Sequence, residues 1–103
     1  MRKASVFVNG SLAGELQEIK RGREYYFSYL ETYKGPSVSL EMPIEQLVYK
    51  FDRFPPFFEG LLPEGIMLEG LLRQTKIDRD DLLSQLIAVG GDMVGNVTVE
   101  GGL

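Results

Sequence analysis

Apolar and polar positions alternate from the first residues of the chain. Ala4, Val6 and Val8 fall on one side and Ser5 and Phe7 on the other. Asn9-Gly10 follows, a pair that tolerates positive φ in a tight turn, so residues 4–8 predict the first strand of a hairpin. The return strand is expected to run through Leu12, Gly14 and Leu16, with Ala13, Glu15 and Gln17 on its other face, as far as the charged turn Lys20-Arg21-Gly22-Arg23. Tyr25, Phe27 and Tyr29 then alternate with Tyr26, Ser28 and Leu30, a third strand of aromatic type. Val38, Leu40 and Met42 continue the period of two and predict a short fourth strand closed by Pro43.

From Phe51 the period leaves two. Phe51, Phe54, Phe57, Phe58, Leu61 and Leu62 cluster instead of alternating. Pro55-Pro56 fits an extended lead-in with Pro56 near a helix start, and Pro63 and Gly65 end whatever turn Phe57 to Leu62 forms. Phe57, Phe58, Leu61 and Leu62 sit at i, i+1, i+4 and i+5, a helical stripe expected to face the core. Met67, Leu68, Leu71 and Leu72 recur at helical spacing. A further helix is expected from Asp78, with Asp80 and Asp81 at its positive end, running through Leu82, Leu83, Leu86 and Ile87 to Gly90-Gly91. Val97 and Val99 alternate with Asn96 and Thr98 as a last strand, and residues 100–103 form a tail. The predicted fold class is α+β: an antiparallel β-meander or small barrel-like sheet, two or three helices and a closing strand, in one domain spanning 1–103.

Composition narrows the chemistry. A hydrophobic fraction of 44% and a charged fraction of 25% are ordinary for a globular domain, so the chain is expected to fold. It has no cysteine and no histidine. Disulfides, thiol nucleophiles, imidazole bases and the usual zinc ligand sets are therefore closed to it. The net charge of −4 is uneven: residues 1–50 carry seven basic and six acidic groups, residues 51–103 four and nine. An acidic second half opposes the electrostatic attraction that dominates binding to a phosphate backbone. No apolar run approaches the roughly 18 residues of a membrane span, and Met1-Arg2-Lys3 leads into a strand pattern, so a cytoplasmic protein is expected.

Several clusters have bland readings that outweigh the sharp ones. Gly90-Gly91-Asp92-Met93-Val94-Gly95 has the glycine density of a phosphate cradle, but it follows a helix and enters a strand, the reverse of a phosphate loop, so a helix cap and turn are expected. Asp78, Asp80 and Asp81 lack the mid-loop glycine and closing glutamate of a calcium loop and read as a helix cap. Glu59, Glu64 and Glu69 recur every five residues, which takes them off one helix face, and they form no hydrolase-like carboxylate pair. Lys20, Arg21 and Arg23 beside Tyr25, Tyr26 and Tyr29 imitate a base-stacking face, yet a charged turn before an aromatic strand accounts for them. No catalytic, metal-binding or cofactor-binding residue is expected, and no cofactor.

The run Phe57-Phe58-Glu59-Gly60-Leu61-Leu62-Pro63-Glu64-Gly65, then Asp81-Leu82-Leu83, then Gly91-Asp92-Met93-Val94-Gly95-Asn96-Val97, resembles the N-terminal subdomain of HipA-type kinases. The opening Val6-Phe7-Val8-Asn9-Gly10 and the stretch Leu40-Glu41-Met42-Pro43-Ile44 fit the same pattern, so the resemblance spans nearly the whole chain. Asn96 stands where the family has alanine, a small change at a strand entry. No kinase core follows, so the ATP-binding lysine and the catalytic and metal-binding aspartates of a kinase are absent from this sequence, and it is not expected to be an enzyme by itself. A free-standing copy of this subdomain is similar to the HipS antitoxin of HipB-HipS-HipT systems. The resemblance implies an antitoxin that binds and inhibits a HipT-like serine/threonine kinase, in a ternary complex with a helix-turn-helix HipB-like protein, without direct nucleic-acid or membrane contact. An activating or chaperone-like subunit that completes a split kinase shares the same interface and differs in sign.

Within that implied role, the turn Pro63-Glu64-Gly65 ends the aromatic stripe and leaves Ile66 and Met67 at the start of the next helix. Two adaptable apolar side chains and a carboxylate on a turn suit entry into a concave kinase cleft. The expected kinase contact is Pro63, Glu64, Gly65, Ile66 and Met67.

Overall fold

The computed structural model describes residues 1–91 and 96–101. Among them five strands and three helices follow in the order β1 (Arg2–Val8), β2 (Ser11–Lys20), β3 (Glu24–Tyr29), β4 (Val48–Phe51), α1 (Pro56–Glu59), α2 (Gly65–Thr75), α3 (Leu82–Val89) and β5 (Val97–Gly101). The strands form one antiparallel sheet in the order β4-β3-β2-β1-β5, open at β4 and β5. The architecture is α+β, a meander with a closing strand laid beside β1. Within the described residues no helix is long and apolar enough to cross a membrane.

Asn9 at φ 51° and Gly10 at φ 82° make the hairpin turn between β1 and β2, the positive-φ pair whose twist matches that of the flanking strands. Ala4, Val6 and Val8 point into the core as their alternation predicts. The return strand departs from expectation. Val6 pairs with Gly14 and Phe7 with Leu12, so Ala13 is an extra residue in a bulge. The bulge turns Leu12 out to solvent while Ala13 and Leu16 are buried, and Leu12 and Leu16 do not share a face.

Residues 38–42 are not a sheet strand. Val38 and Met42 are buried there but Leu40, which a period of two would place on their face, is fully out; the backbone is held by Ser39 pairing with Met42 and by the Tyr29 hydroxyl. The fourth strand is Val48–Phe51, four residues paired with β3 from Ser28 to Tyr25. The helical expectation from Asp78 also shifts. Asp78 and Asp80 stay exposed in the connecting loop, and Asp81 is the N-cap of α3, its carboxylate accepting from the Ser84 amide at 3.2 Å and from the Ser84 hydroxyl at 2.7 Å. Gly90 caps α3 as expected, for a reason of space: a Cβ there would lie 2.0 Å from the carbonyl oxygen of Val99, whose amide donates back to Gly90. The remainder of the glycine turn, Asp92 to Gly95, and the tail residues Gly102 and Leu103 lie outside the described residues.

One face of the sheet and the helices enclose the core. Tyr25, Phe27, Leu16, Phe58, Met42, Leu83 and Leu86 are among its largest fully buried side chains. Phe58 packs on Phe27 with ring centroids 5.7 Å apart, and Tyr25 meets Phe54 edge to face at 5.3 Å. Gln85, also buried, donates to the carbonyls of Asp78 and Arg79 and so fixes the loop leading into α3.

A charged network joins the sheet to α3. The Arg2 guanidinium donates to Glu18 at 2.8 Å, to both oxygens of Asp81 and to the Ser84 hydroxyl; the Tyr25 hydroxyl donates to Glu18. Burial by itself raises the Asp81 pKa, but the Arg2 and Ser84 hydrogen bonds outweigh it and hold the carboxyl at about 2. A carboxylate depressed in the folded state stabilises above its unfolded pKa and loses that contribution as pH falls through the folded one. Allowing for the partly exposed guanidinium, the wild type is expected to lose about 1 to 2 kcal/mol more stability than Asp81→Asn between about pH 5 and pH 2.5. Urea midpoints at the two pH values check this; parallel acid limbs for the two proteins would contradict it.

Candidate partner-binding surface

The candidate surface grows from the segment that follows Phe54. Pro55, at φ −57° and ψ 128°, delivers an extended chain into α1, and Pro56 occupies the first helical position, where its missing N–H costs nothing. The helix makes a single turn. Its stripe divides: Phe58 is fully buried, whereas Phe57, Leu61 and Leu62 are only partly buried, packed against the rim of the core. The expectation that all four face inward therefore holds fully for Phe58 and in part for the other three. Leu61 and Leu62 lie past the end of α1, in tighter turns closed on the Phe58 and Glu59 carbonyls, so the helical spacing does not extend to them.

Pro63 then prevents the helix from continuing, Glu64 is extended at φ −130° and ψ 164°, and Gly65 takes φ 57°, a left-handed conformation that L side chains rarely adopt. This corner sends α2 off in a new direction. Lys76 ends it in the left-handed region, its amide closing on the Leu72 carbonyl at 3.0 Å. No residue of α2 is buried; Leu68, Leu71 and Leu72 are half-covered on the inner side. Ile66 is 89% exposed and Met67 74%. An amphipathic helix that fully buries none of its apolar side chains and leaves the leading two bare has spent only part of its hydrophobic face on its own domain.

The predicted contact residues come together here. Pro63, Ile66 and Met67 line one groove of about 350 Å³ together with Leu71 of α2 and Val89 of α3, while Glu64 and Gly65 are exposed and do not line it. A second, larger cleft of about 530 Å³ lies against α1, walled by Met42, Phe51, Pro55, Phe57, Gly60 and Leu61. The pattern reading missed it, because it pairs Phe57 and Leu61 with a loop residue, Met42, that had been assigned to a strand. The base-stacking alternative loses its platform. Tyr25 and Tyr29 are buried with their hydroxyls bonded inside the domain, and Arg21 lies 3.5 Å from Asp81.

The sequence matches the model of the HipA N-terminal domain family over residues 4–100. The chain belongs to that family. A solved structure described as the N-terminal domain of HipA toxin superposes with a TM-score of 0.77 at 32% identity, covering 100% of this chain and 94% of that one. An uncharacterized protein of Haemophilus influenzae is 35% identical over 100 residues, covering 97% of this chain and 92% of that protein. A putative kinase of Sinorhizobium fredii is 31% identical over 99 residues, and there the match covers 87% of this chain but only 24% of the relative. Sequence similar to this chain thus occurs both in a protein of nearly this extent and as a minor part of a longer one.

Proposed function

We propose that this HipA N-terminal domain is an antitoxin, which binds and inhibits a HipT-like serine/threonine kinase and performs no catalysis itself. The observation that carries the reading is α2: a helix with no buried residue, led by Ile66 and Met67 at 89% and 74% exposure, beside an apolar groove. The Sinorhizobium relative supports a kinase as the partner, since sequence similar to this chain forms 24% of a protein described as a putative kinase. A domain that normally sits against a larger chain keeps an apolar face suited to it, and docking from a separate chain restores that burial. The contact comprises Pro63, Glu64, Gly65, Ile66 and Met67. The complex acts in the cytoplasm and includes a helix-turn-helix HipB-like protein for any contact with DNA, because the acidic balance of this chain does not favour a phosphate backbone.

Growth tests the reading. Cells expressing a HipT-like kinase from the same organism are expected to stop growing alone and to recover when this protein is co-expressed. Equal arrest with and without it would refute the antitoxin role, and arrest only in its presence would make it an activating subunit.

A further inference from the structure

Leu40 is the most exposed large apolar residue of the described chain, at 97%. Single exposed leucines are common and need no explanation. This one differs in how it is held. Its turn is closed by the Met42 amide on the Ser39 carbonyl at 3.2 Å, and the Ser39 hydroxyl oxygen accepts from the Glu41 amide at 3.2 Å. Beneath it the buried Tyr29 hydroxyl accepts from the Val38 amide at 2.8 Å and donates to the Met42 carbonyl. Val38 and Met42 are sunk in the core on either side, at 5% and 2% exposure, so Leu40 cannot fold back. The Ile44 amide donates to the Ser37 hydroxyl, and Tyr33 and Tyr49 donate to the carbonyls of Pro36 and Pro43. A loop tied at this many points has already lost the freedom that binding would otherwise remove.

The knob is also continuous with the proposed contact. Glu41 and Met42 line the larger cleft together with Gly60 and Leu61. Leu61 is two residues from Pro63, which opens the groove carrying Ile66 and Met67. Exposed carboxylates stand along this path at Glu41, Glu59 and Glu64, and no basic side chain lines either cleft. The surface therefore asks for apolar sockets set among lysines or arginines.

We propose that Leu40 and Glu41 form a preformed second contact for the same kinase, Leu40 entering an apolar socket and Glu41 meeting a basic group at its edge. This inference rests on the kinase-binding reading above and adds a site to it. It is tested by calorimetric titration of the purified HipT-like kinase with wild type, Leu40→Asp, Glu41→Lys and Ile66→Asp, alongside melts of each free protein. Leu40→Asp is expected to weaken binding about tenfold or more with an unchanged melt, and Glu41→Lys to weaken it less and to remove part of its salt dependence. Wild-type affinity for Leu40→Asp overturns the second contact while leaving the kinase reading intact. A wild-type protein that does not bind the kinase overturns both. If the free protein dimerises and Leu40→Asp makes it monomeric without changing kinase affinity, the socket belongs to a second copy and the proposal is wrong.

Discussion

Ile66→Asp is expected to weaken kinase binding by about 2 kcal/mol or more, roughly thirtyfold, with little change in the thermal melt. Ile66 contributes almost nothing to its own domain, since it is 89% exposed. It also lies in the first turn of α2, which has no acidic residue and whose N-cap, Glu64, makes no side-chain cap. A carboxylate there meets the positive end of the helix and, if anything, stabilises it. Loss of binding through unfolding is thereby separated from loss through contact. Met67→Asp should behave alike, at a smaller cost in keeping with its longer, more adaptable side chain. Calorimetry against the kinase paired with circular-dichroism melts makes the comparison. An Ile66→Asp protein that unfolds, or that binds like wild type, removes this corner from the inhibitory contact.

Phe58→Ala is expected to do the opposite, lowering stability by about 3 to 5 kcal/mol. Phe58 is fully buried between Phe27 on the sheet and Phe57 on its own turn, at 5.7 and 5.2 Å between ring centroids. Removing the ring empties the space between α1 and the sheet, and one helical turn begun by a proline has little freedom to collapse into it. In a domain of this size each kcal/mol shifts the melting temperature by roughly 4 to 8 °C, so the variant should melt at least about 12 °C lower or be largely unfolded. Phe57→Ala, at a partly buried position on the cleft wall, should cost clearly less. Similar urea midpoints for the two variants would mean that the stripe does not divide between core and cleft as described.

That division shows where sequence patterning stops being informative. Asn9-Gly10 announces its hairpin through local turn chemistry, and the alternation of Tyr25, Phe27 and Tyr29 announces a half-buried strand, because both depend on neighbours in sequence. Val38, Leu40 and Met42 carry the same alternation without being a strand. They are held by a local turn between Ser39 and Met42 and by a tyrosine hydroxyl nine residues from Val38 and thirteen from Met42, which no period can reveal. The true β4 has only four residues and takes its identity from pairing with β3. Asp81 reads as one acid among three, and its distinction comes from Arg2, 79 residues away. For the candidate surface, Pro63 and Gly65 made the corner before Ile66 legible. Leu40 was hidden by the period it shares with buried neighbours.

Phosphotransfer by the purified HipT-like kinase, followed while this protein is titrated in, tests the central claim most directly. The account predicts that activity falls in proportion to added protein and reaches background near one equivalent, and that Ile66→Asp shifts the titration to much higher concentration. Kinase activity that rises on addition, or that is unchanged at a saturating excess, would contradict it.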